Sequence, residues 1–217
     1  MIEAVIFDMD GLLIDSEPVW DKARFLMAKE AGVDWNKDDH KAVMGVSTHE
    51  WVSYMIDRLS LSMPPKAVEQ EIISKMSDIY AQKIPFFPGA IESVAMSSVH
   101  FPTGLASGSP RQLIDTVISD PALSGKFKVA LSGDEFEKGK PSPDIYLAAA
   151  KGLGINPEKC VCLEDSGNGI MAGKNAGMKV IAVPDYRFSP DQEKLVQADI
   201  ILDSLDQLTL ETFSKLD

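Results

Sequence analysis

The stretch Ala4-Val5-Ile6-Phe7-Asp8-Met9-Asp10-Gly11 begins as an uninterrupted apolar run and ends in two carboxylates and a glycine. A short apolar run bounded by polar residues is typical of a strand buried on both faces of a parallel sheet. Gly11 permits the sharp turn that has to follow such a strand. We therefore predict a buried strand over residues 4–7, with Asp8 and Asp10 projecting from its carboxyl end.

Five further apolar runs alternate with helical patterns along the chain. Such alternation indicates a doubly wound parallel sheet covered by helices on both faces, which is a Rossmann-like α/β fold. The predicted strands are 103–106, 128–131, 160–163, 179–183 and 199–202. The predicted helices between and after them are 90–97, 110–119, 143–152, 167–176 and 205–214.

Residues 18–83 break the alternation, because they contain helical patterns and no convincing strand. The patterns cover 19–31, 38–43, 48–59 and 67–82, and the following Pro85 and Pro88 indicate a stiff linker. We expect a core domain over 1–16 and 84–217 and an inserted all-helical cap domain over 17–83. An insertion at the carboxyl end of a strand lies above the crevice where open α/β sheets bind ligands, so the cap is expected to close on a substrate.

The 217-residue chain is acidic, with a net charge of −12 from 21 basic and 33 acidic residues. Such a surface repels nucleic-acid backbones and anionic lipids, which argues against both as partners. No apolar run reaches the length of about 18 residues that a membrane span needs, and no signal peptide is recognisable. We expect a cytoplasmic monomer. A phosphorylated substrate would also be repelled, so phosphate chemistry requires a local positive centre.

A second acidic pair, Glu164-Asp165, follows the predicted strand 160–163. Since the carboxyl ends of parallel strands share one edge, this pair is expected near Asp8 and Asp10. One carboxylate at such a site can attack phosphorus, and another can protonate the leaving oxygen and then deprotonate water. Mg²⁺ prefers oxygen ligands and takes one or two carboxylates, a count that Asp8 and Asp165 fit. A solvated acidic loop is the alternative interpretation.

Two more strand ends carry residues suited to an anion. Ser107-Gly108-Ser109-Pro110 ends one strand and begins a helix, for which Ser109 is the expected N-cap. The Ser107 hydroxyl and the free N–H groups near Gly108 form a candidate phosphate site, although simple helix capping explains them equally well. Lys140, between Gly139 and Pro141, is expected to reach the crevice, with a surface lysine as the alternative.

Together these motifs resemble those of the haloacid dehalogenase superfamily. Its first motif, Asp-x-Asp-Gly, corresponds to Asp8-Met9-Asp10-Gly11, and its second, third and fourth motifs correspond to Ser107, Lys140 and Glu164-Asp165. The chain is most similar to the branch that contains β-phosphoglucomutase, 2-deoxyglucose-6-phosphate phosphatase and pseudouridine-5'-phosphatase. The resemblance covers essentially the whole chain and implies a doubly wound core with a mobile helical cap.

The resemblance also implies a role for each motif residue. Asp8 is the nucleophile and a metal ligand, and Asp10 is the general acid and base whose backbone carbonyl binds the metal. Asp165 is a direct metal ligand, and Glu164 acts nearby or through water. Ser107, with Gly108, and Lys140 hold the transferred phosphoryl group.

The implied activity is the Mg²⁺-dependent hydrolysis of a small phosphomonoester, a sugar phosphate, through an aspartyl-phosphate intermediate. Dehalogenases of the superfamily lack an acid at the position of Asp10, and its ion-pumping ATPases carry Thr there and need membrane spans. The chain therefore resembles the phosphatases of the superfamily.

A phosphomutase of the β-phosphoglucomutase type is the alternative function. The mutases carry a basic residue after Gly-Val-Ser, whereas Gly45-Val46-Ser47 is followed here by Thr48. They also carry a histidine at the position of Trp20. Both departures favour simple hydrolysis. A catalytically silent binding module is a further alternative, which the intact motif residues disfavour.

The cap is expected to select the substrate. Glu17 and Thr48 are the candidate substrate-binding residues in it, since hydrogen-bonding groups suit a sugar or nucleoside. Trp20, His49 and Trp51 are weaker candidates, because both tryptophans fit apolar helical stripes and His49 fits an exposed position.

Overall fold

The computed structural model describes residues 1–44 and 48–216. It separates into two compact units, Met1–Asp15 with Pro85–Asp217 and Ser16–Ile84. The first unit, called the core unit below, contains the sheet, and the second, called the helical unit, contains four helices. The predicted role of the helical unit as a cap stays a prediction. Gly45-Val46-Ser47, which the comparison with mutases used, lies outside the described residues.

Six strands of the core unit form one all-parallel sheet in the order β3-β2-β1-β4-β5-β6. This order is that of a doubly wound sheet, so the predicted α/β fold class is confirmed. The order reverses between β1 and β4, and open α/β sheets bind ligands beyond the carboxyl ends of the strands at such a point. The strands are β1 (Ala4–Phe7), β2 (Thr103–Ser107), β3 (Val129–Ser132), β4 (Cys160–Glu164), β5 (Lys179–Ala182) and β6 (Ile200–Ile201).

The helical unit contains the four helices that the sequence predicts. They are α1 (Glu17–Glu30), α2 (Lys37–Val43), α3 (Thr48–Leu59) and α4 (Pro65–Gln82). Arg24 of α1 is buried, with its guanidinium 5.1 Å from the ring centroid of Trp20 and 5.5 Å from that of Trp51. Helix α2 begins at a capping box, in which Asn36 accepts from the Asp39 backbone N–H and the Asp39 carboxylate accepts from that of Asn36.

Helices cover the sheet of the core unit. Their bounds are α5 (Ala90–His100), α6 (Arg111–Ile118), α7 (Asp144–Leu153), α8 (Gly167–Asn175), α9 (Gln192–Leu195) and α10 (Leu210–Ser214). The prediction of a single helix over 205–214 is wrong, because a short 3-10 helix at Leu205–Gln207 precedes α10. The interruption is local: Thr209 caps α10 and accepts a hydrogen bond from the Thr212 backbone N–H. In the described part of the chain, no helix is long and apolar enough to cross a membrane.

Small residues let the helices approach the sheet closely. On one face, Cys162 of β4 and Val180 of β5 pack beneath α7 and α8, and all of these strand residues are fully buried. Gly173 of α8 lies directly over them, and a Cβ at this position would collide with Sγ of Cys162 and lie 2.9 Å from Val180 Cγ2. The core at this point therefore has no room for an additional methyl group.

We predict that Gly173→Ala destabilises the protein by about 1–3 kcal/mol, the usual effect of overpacking a buried position. Alanine would otherwise stabilise a helix by roughly 0.5–1 kcal/mol relative to glycine, so a net loss reports the collision. The measurement is urea unfolding. Gly139→Ala is the matched control, since a Cβ there meets nothing within 4 Å. Equal or greater stability of Gly173→Ala would contradict the packing described.

Candidate active site

One ammonium group joins the carboxyl ends of three strands. Lys140 Nζ donates to Asp8 Oδ1 after β1 at 2.5 Å, to the backbone carbonyl of Ala106 in β2 at 3.1 Å, and to Oε1 of Glu164 in β4. Asp8 is only 5% exposed and Glu164 is completely buried. The structure thus brings Asp8, Lys140 and Glu164 together, and places Lys140 inside the crevice rather than on the surface.

Tyr146 of α7 contacts both Glu164 and Lys140. Its hydroxyl donates to Glu164 Oε1 at 2.6 Å, and Lys140 Nζ lies 5.0 Å from the centroid of its ring. The Ser166 hydroxyl donates to the other oxygen of Glu164 at 3.2 Å. No local pattern points to Tyr146, because it occupies an apolar position of a helical pattern and its hydroxyl matters only once α7 packs on β4.

Asp8, Glu164 and Asp165 form a cluster that can hold a metal ion, with one oxygen from each lying within 4.8 Å of the others. Carboxylate oxygens are the ligands that Mg²⁺ prefers, so the donor set fits this ion. Both oxygens of Glu164 already accept hydrogen bonds from side chains. This arrangement favours Asp8 and Asp165 over Glu164 as direct ligands, and their role as ligands stays a prediction.

Burial dominates the proton affinities of the cluster. It raises the pKa of Asp8 well above its ordinary range, with Lys140 opposing and the neighbouring acids reinforcing the shift. Burial, with the charge of Glu164, raises the pKa of Asp165 to about 8. Burial also opposes the charge of Lys140, but Asp8 and Glu164 outweigh it and raise the pKa of Lys140. The ammonium therefore stays charged at neutral pH.

Asp10 is held by two serines. Its Oδ2 accepts from the hydroxyls of Ser107 at 2.8 Å and of Ser109 at 2.7 Å. The prediction that Ser109 caps the following helix is wrong, because α6 begins at Arg111 and its N-cap is Pro110, which makes no side-chain cap. The Ser109 hydroxyl donates to the Asp10 carboxylate instead.

Two glycines leave space for the carboxylates. Gly11 has a φ of +80°, which L side chains rarely adopt, and a Cβ there would collide with the Asp165 carboxylate. A Cβ at Gly169, in the first turn of α8, would overlap the carboxylate of Glu164. Both positions thus require glycine because a carboxylate of the cluster occupies the adjacent volume.

The other predicted site residues divide between the units. Ser107 ends β2 in the core unit, and Gly108 beside it is exposed, so a Cβ at this position would meet nothing within 4 Å. Glu17 and Thr48 belong to the helical unit, where they begin α1 and α3. Their substrate-binding roles stay predictions.

Comparison with known proteins identifies the family. Residues 5–183 match the model of the haloacid dehalogenase-like hydrolases. This match spans most of the chain and every motif residue of the core unit described above. The chain is a hydrolase of α/β fold, and it belongs to the haloacid dehalogenase-like family, as the resemblance of its motifs predicts.

Relatives and solved structures agree over nearly the full length. The chain is 36% identical over 211 residues to hexitol phosphatase B of Escherichia coli (strain K12), covering 96% of this chain and 95% of that protein. Its structure is similar to CbbY from Rhodobacter sphaeroides in complex with xylulose-(1,5)bisphosphate, with a TM-score of 0.84, 26% identity and full coverage of both chains. It is also similar to β-phosphoglucomutase from Clostridium difficile, with a TM-score of 0.78 and 27% identity, covering 100% of this chain and 97% of that one.

The raised pKa of Asp165 predicts how stability depends on pH without metal. Folded Asp165 keeps its proton up to about pH 8, whereas an unfolded Asp loses it near its ordinary value of 3.8. The folded state therefore binds more protons between these values, and the free energy of unfolding falls as the pH rises through this interval. Mg²⁺ held by the deprotonated carboxylates would oppose the loss.

We predict that in EDTA the Tm falls between about pH 5 and pH 8, and that Mg²⁺ raises the Tm more at pH 8 than at pH 5. Thermal unfolding in the two conditions provides the measurement. Asp165→Asn is the control, because it removes one of the two carboxylates with a raised pKa and should weaken the dependence on pH, to which Asp8 also contributes. A metal-free Tm that is constant over this range in the unmodified protein would contradict the assignment.

Proposed function

We propose that this protein hydrolyses a small phosphomonoester, a sugar phosphate, through an aspartyl-phosphate intermediate on Asp8, with Mg²⁺ as its cofactor. The observation that carries the proposal is the buried Asp8 carboxylate, held by Lys140 at 2.5 Å and placed beside Asp165 at the switch point of the sheet. The hexitol phosphatase relative and the neighbour bound to a sugar bisphosphate support a phosphorylated sugar as the substrate class.

In the first step, a carboxylate oxygen of Asp8 attacks phosphorus while the bond between phosphorus and the alcohol oxygen breaks. Asp10 gives its proton to the departing oxygen, so the sugar leaves as a neutral alcohol. Lys140 and the Ser107 hydroxyl bind oxygens of the phosphoryl group, where negative charge must be balanced. The products of this step are the alcohol and phospho-Asp8.

In the second step, water attacks the phosphorus of phospho-Asp8, and the bond between phosphorus and the Asp8 oxygen breaks. Asp10, now deprotonated, takes a proton from the attacking water, so inorganic phosphate and the free Asp8 carboxylate are regenerated. Asp8, Asp165 and the backbone carbonyl of Asp10 would hold Mg²⁺, with Glu164 beside them. When bound, the ion supplies charge neutralisation of the phosphate oxygens.

For the helical unit, the proposal is that Glu17 and Thr48 contribute to the choice of substrate. Trp51 is 4% exposed, and its ring centroid lies 6.0 Å from that of Trp20, which fits a packing role for both rings. A monomeric state and a cytoplasmic location stay predictions.

We predict that the purified protein releases phosphate from hexitol and sugar phosphates in Mg²⁺, and that EDTA stops the release until Mg²⁺ is restored. Asp8→Asn should abolish turnover, since an amide is not a nucleophile. Asp10→Asn should slow it by about 10²–10⁴-fold, the usual contribution of general acid–base catalysis. Phosphate release and circular dichroism of each variant provide the measurements.

Three outcomes would contradict the proposal. Full activity of Asp8→Asn would show that Asp8 is not the nucleophile. Activity that EDTA does not change would show that the reaction does not need the metal. A folded protein that releases no phosphate from any substrate of the panel would support the silent binding module instead.

A phosphomutase is the second candidate, because the structure is also similar to a β-phosphoglucomutase. A mutase returns the phosphoryl group to a second sugar position, whereas a phosphatase gives it to water. We predict that a sugar 1-phosphate with a sugar bisphosphate activator yields free phosphate and no sugar 6-phosphate, as ³¹P NMR can measure. Formation of the 6-phosphate faster than free phosphate would establish the mutase.

A further inference from the structure

The two oxygens of the Asp10 carboxylate have different surroundings. Oδ2 accepts two hydroxyl hydrogen bonds, from Ser107 at 2.8 Å and from Ser109 at 2.7 Å. Oδ1 is buried and has no hydrogen-bond partner among residues 1–44 and 48–216. A buried carboxylate oxygen without a partner is unusual, because desolvation is not offset there. The two serines hold Oδ2, whereas Oδ1 remains available to a bound ligand.

The two serines are not equivalent as anchors. A serine hydroxyl has one proton, so it donates to one acceptor at a time. If Ser107 donates to a phosphoryl oxygen when substrate is bound, its proton is no longer available to Asp10. Ser109 is then the described hydroxyl that still holds Oδ2.

Ser109 is itself held in place. The residue is 6% exposed, and its backbone N–H donates to Ser107 Oγ at 3.0 Å. Its backbone carbonyl accepts from the Ser132 hydroxyl at 2.7 Å, which fixes it to the end of β3. Behind this loop, a Cβ on Gly133 would lie 2.9 Å from the carbonyl oxygen of Gly108, so the neighbouring loop is packed closely against it. A hydroxyl on such a support sets the direction of the carboxylate it binds.

We propose that Ser109 is a positioning residue, which anchors Oδ2 of Asp10 so that Oδ1 faces the oxygen of the leaving alcohol during phosphoryl transfer. The inference rests on the proposed function, since it assumes that Asp10 protonates that oxygen. Ser109 itself does not contact the reacting atoms. Its effect is therefore confined to substrates whose alcohol needs a proton in order to leave.

The test compares two leaving groups. The oxygen of a hexitol phosphate needs protonation, whereas 4-nitrophenolate leaves as a stable anion and does not. The quantity compared is kcat/KM, which covers the reaction up to departure of the alcohol and excludes the hydrolysis of phospho-Asp8. We expect Ser109→Ala to lower kcat/KM about 10–100-fold for the hexitol phosphate and less than about 3-fold for 4-nitrophenyl phosphate, within the range of general acid catalysis. Ser109→Thr, which keeps the hydroxyl, should restore most of the loss.

Ser93→Ala is the matched control. Ser93 is another buried serine of the core unit, and its hydroxyl donates to the Leu205 carbonyl at 3.1 Å, away from the carboxylates. It should leave the ratio of the two kcat/KM values unchanged. If Ser109→Ala does not fold, Ser109→Cys replaces it, because a thiol has a similar size and is a weak donor.

The Asp10→Asn background separates this inference from the proposed function. If Ser109 acts through Asp10, adding Ser109→Ala or Ser109→Cys to Asp10→Asn has no further effect on the hexitol phosphate. Equal losses for both substrates, no loss, or additive losses in the double variant would each overturn the role of Ser109. If Asp10→Asn itself shows no dependence on the leaving group, the proposed acid role of Asp10 fails first, and the role of Ser109 fails with it.

Discussion

The burial of several carboxylates at one edge of the sheet is the constraint on which the rest of the site depends. A buried ion is costly unless it is paired, and like charges in one cavity increase that cost. Lys140 offsets part of it by bridging the ends of β1, β2 and β4. One ammonium cannot neutralise Asp8, Glu164 and Asp165 together, and burial, reinforced by the charges of the neighbouring acids, raises the pKa of Asp8 and of Asp165. A divalent cation would supply the missing positive charge, and its preference for oxygen ligands fits these carboxylates.

Two glycines leave room for the same carboxylates. The left-handed conformation of Gly11 and the absence of a side chain at Gly169 each free the volume that Asp165 and Glu164 occupy. Glycine in a helix lowers stability by roughly 0.5–1 kcal/mol relative to alanine, so Gly169 is unfavourable for α8 taken alone. Glycine at this position is explained by the Glu164 carboxylate, which occupies the space that a side chain would need. The helix is therefore less stable locally so that the carboxylate can be accommodated.

Most of the fold and the acidic part of the site follow from local patterns. The six strands were predicted from short apolar runs, most of them rich in Val and Ile and most ending at Asp, Gly or Ser, and the parallel order then brings Asp8 and Asp165 to one edge. Ser109 and Tyr146 were not predicted in their observed roles, since a serine before a helix and a tyrosine in an apolar stripe have common local explanations. Their partners lie 99 and 18 residues away along the chain, where no local pattern connects them.

The break before α10 was missed for a related reason. Apolar spacing over 205–214 fits one helix, but Thr209 accepts a hydrogen bond from the Thr212 backbone N–H and starts a new one. Side-chain capping competes with helix propagation at Thr and Ser, so periodicity alone overestimates helix length there.

The overall charge and the site act in opposite directions on a phosphorylated substrate. With a net charge of −12, the surface repels a phosphate ester at long range. Salt screens that repulsion beyond about 8 Å at physiological ionic strength, so binding is decided by groups nearer than that. Within this distance the charge of Lys140, together with that of the proposed cation at Asp8 and Asp165, would offset the charges of the neighbouring acids, and the Ser107 hydroxyl supplies a hydrogen-bond donor. Under the proposed function, selectivity for a phosphorylated over a neutral sugar would come from these groups in the crevice and would need no attraction from the surface as a whole.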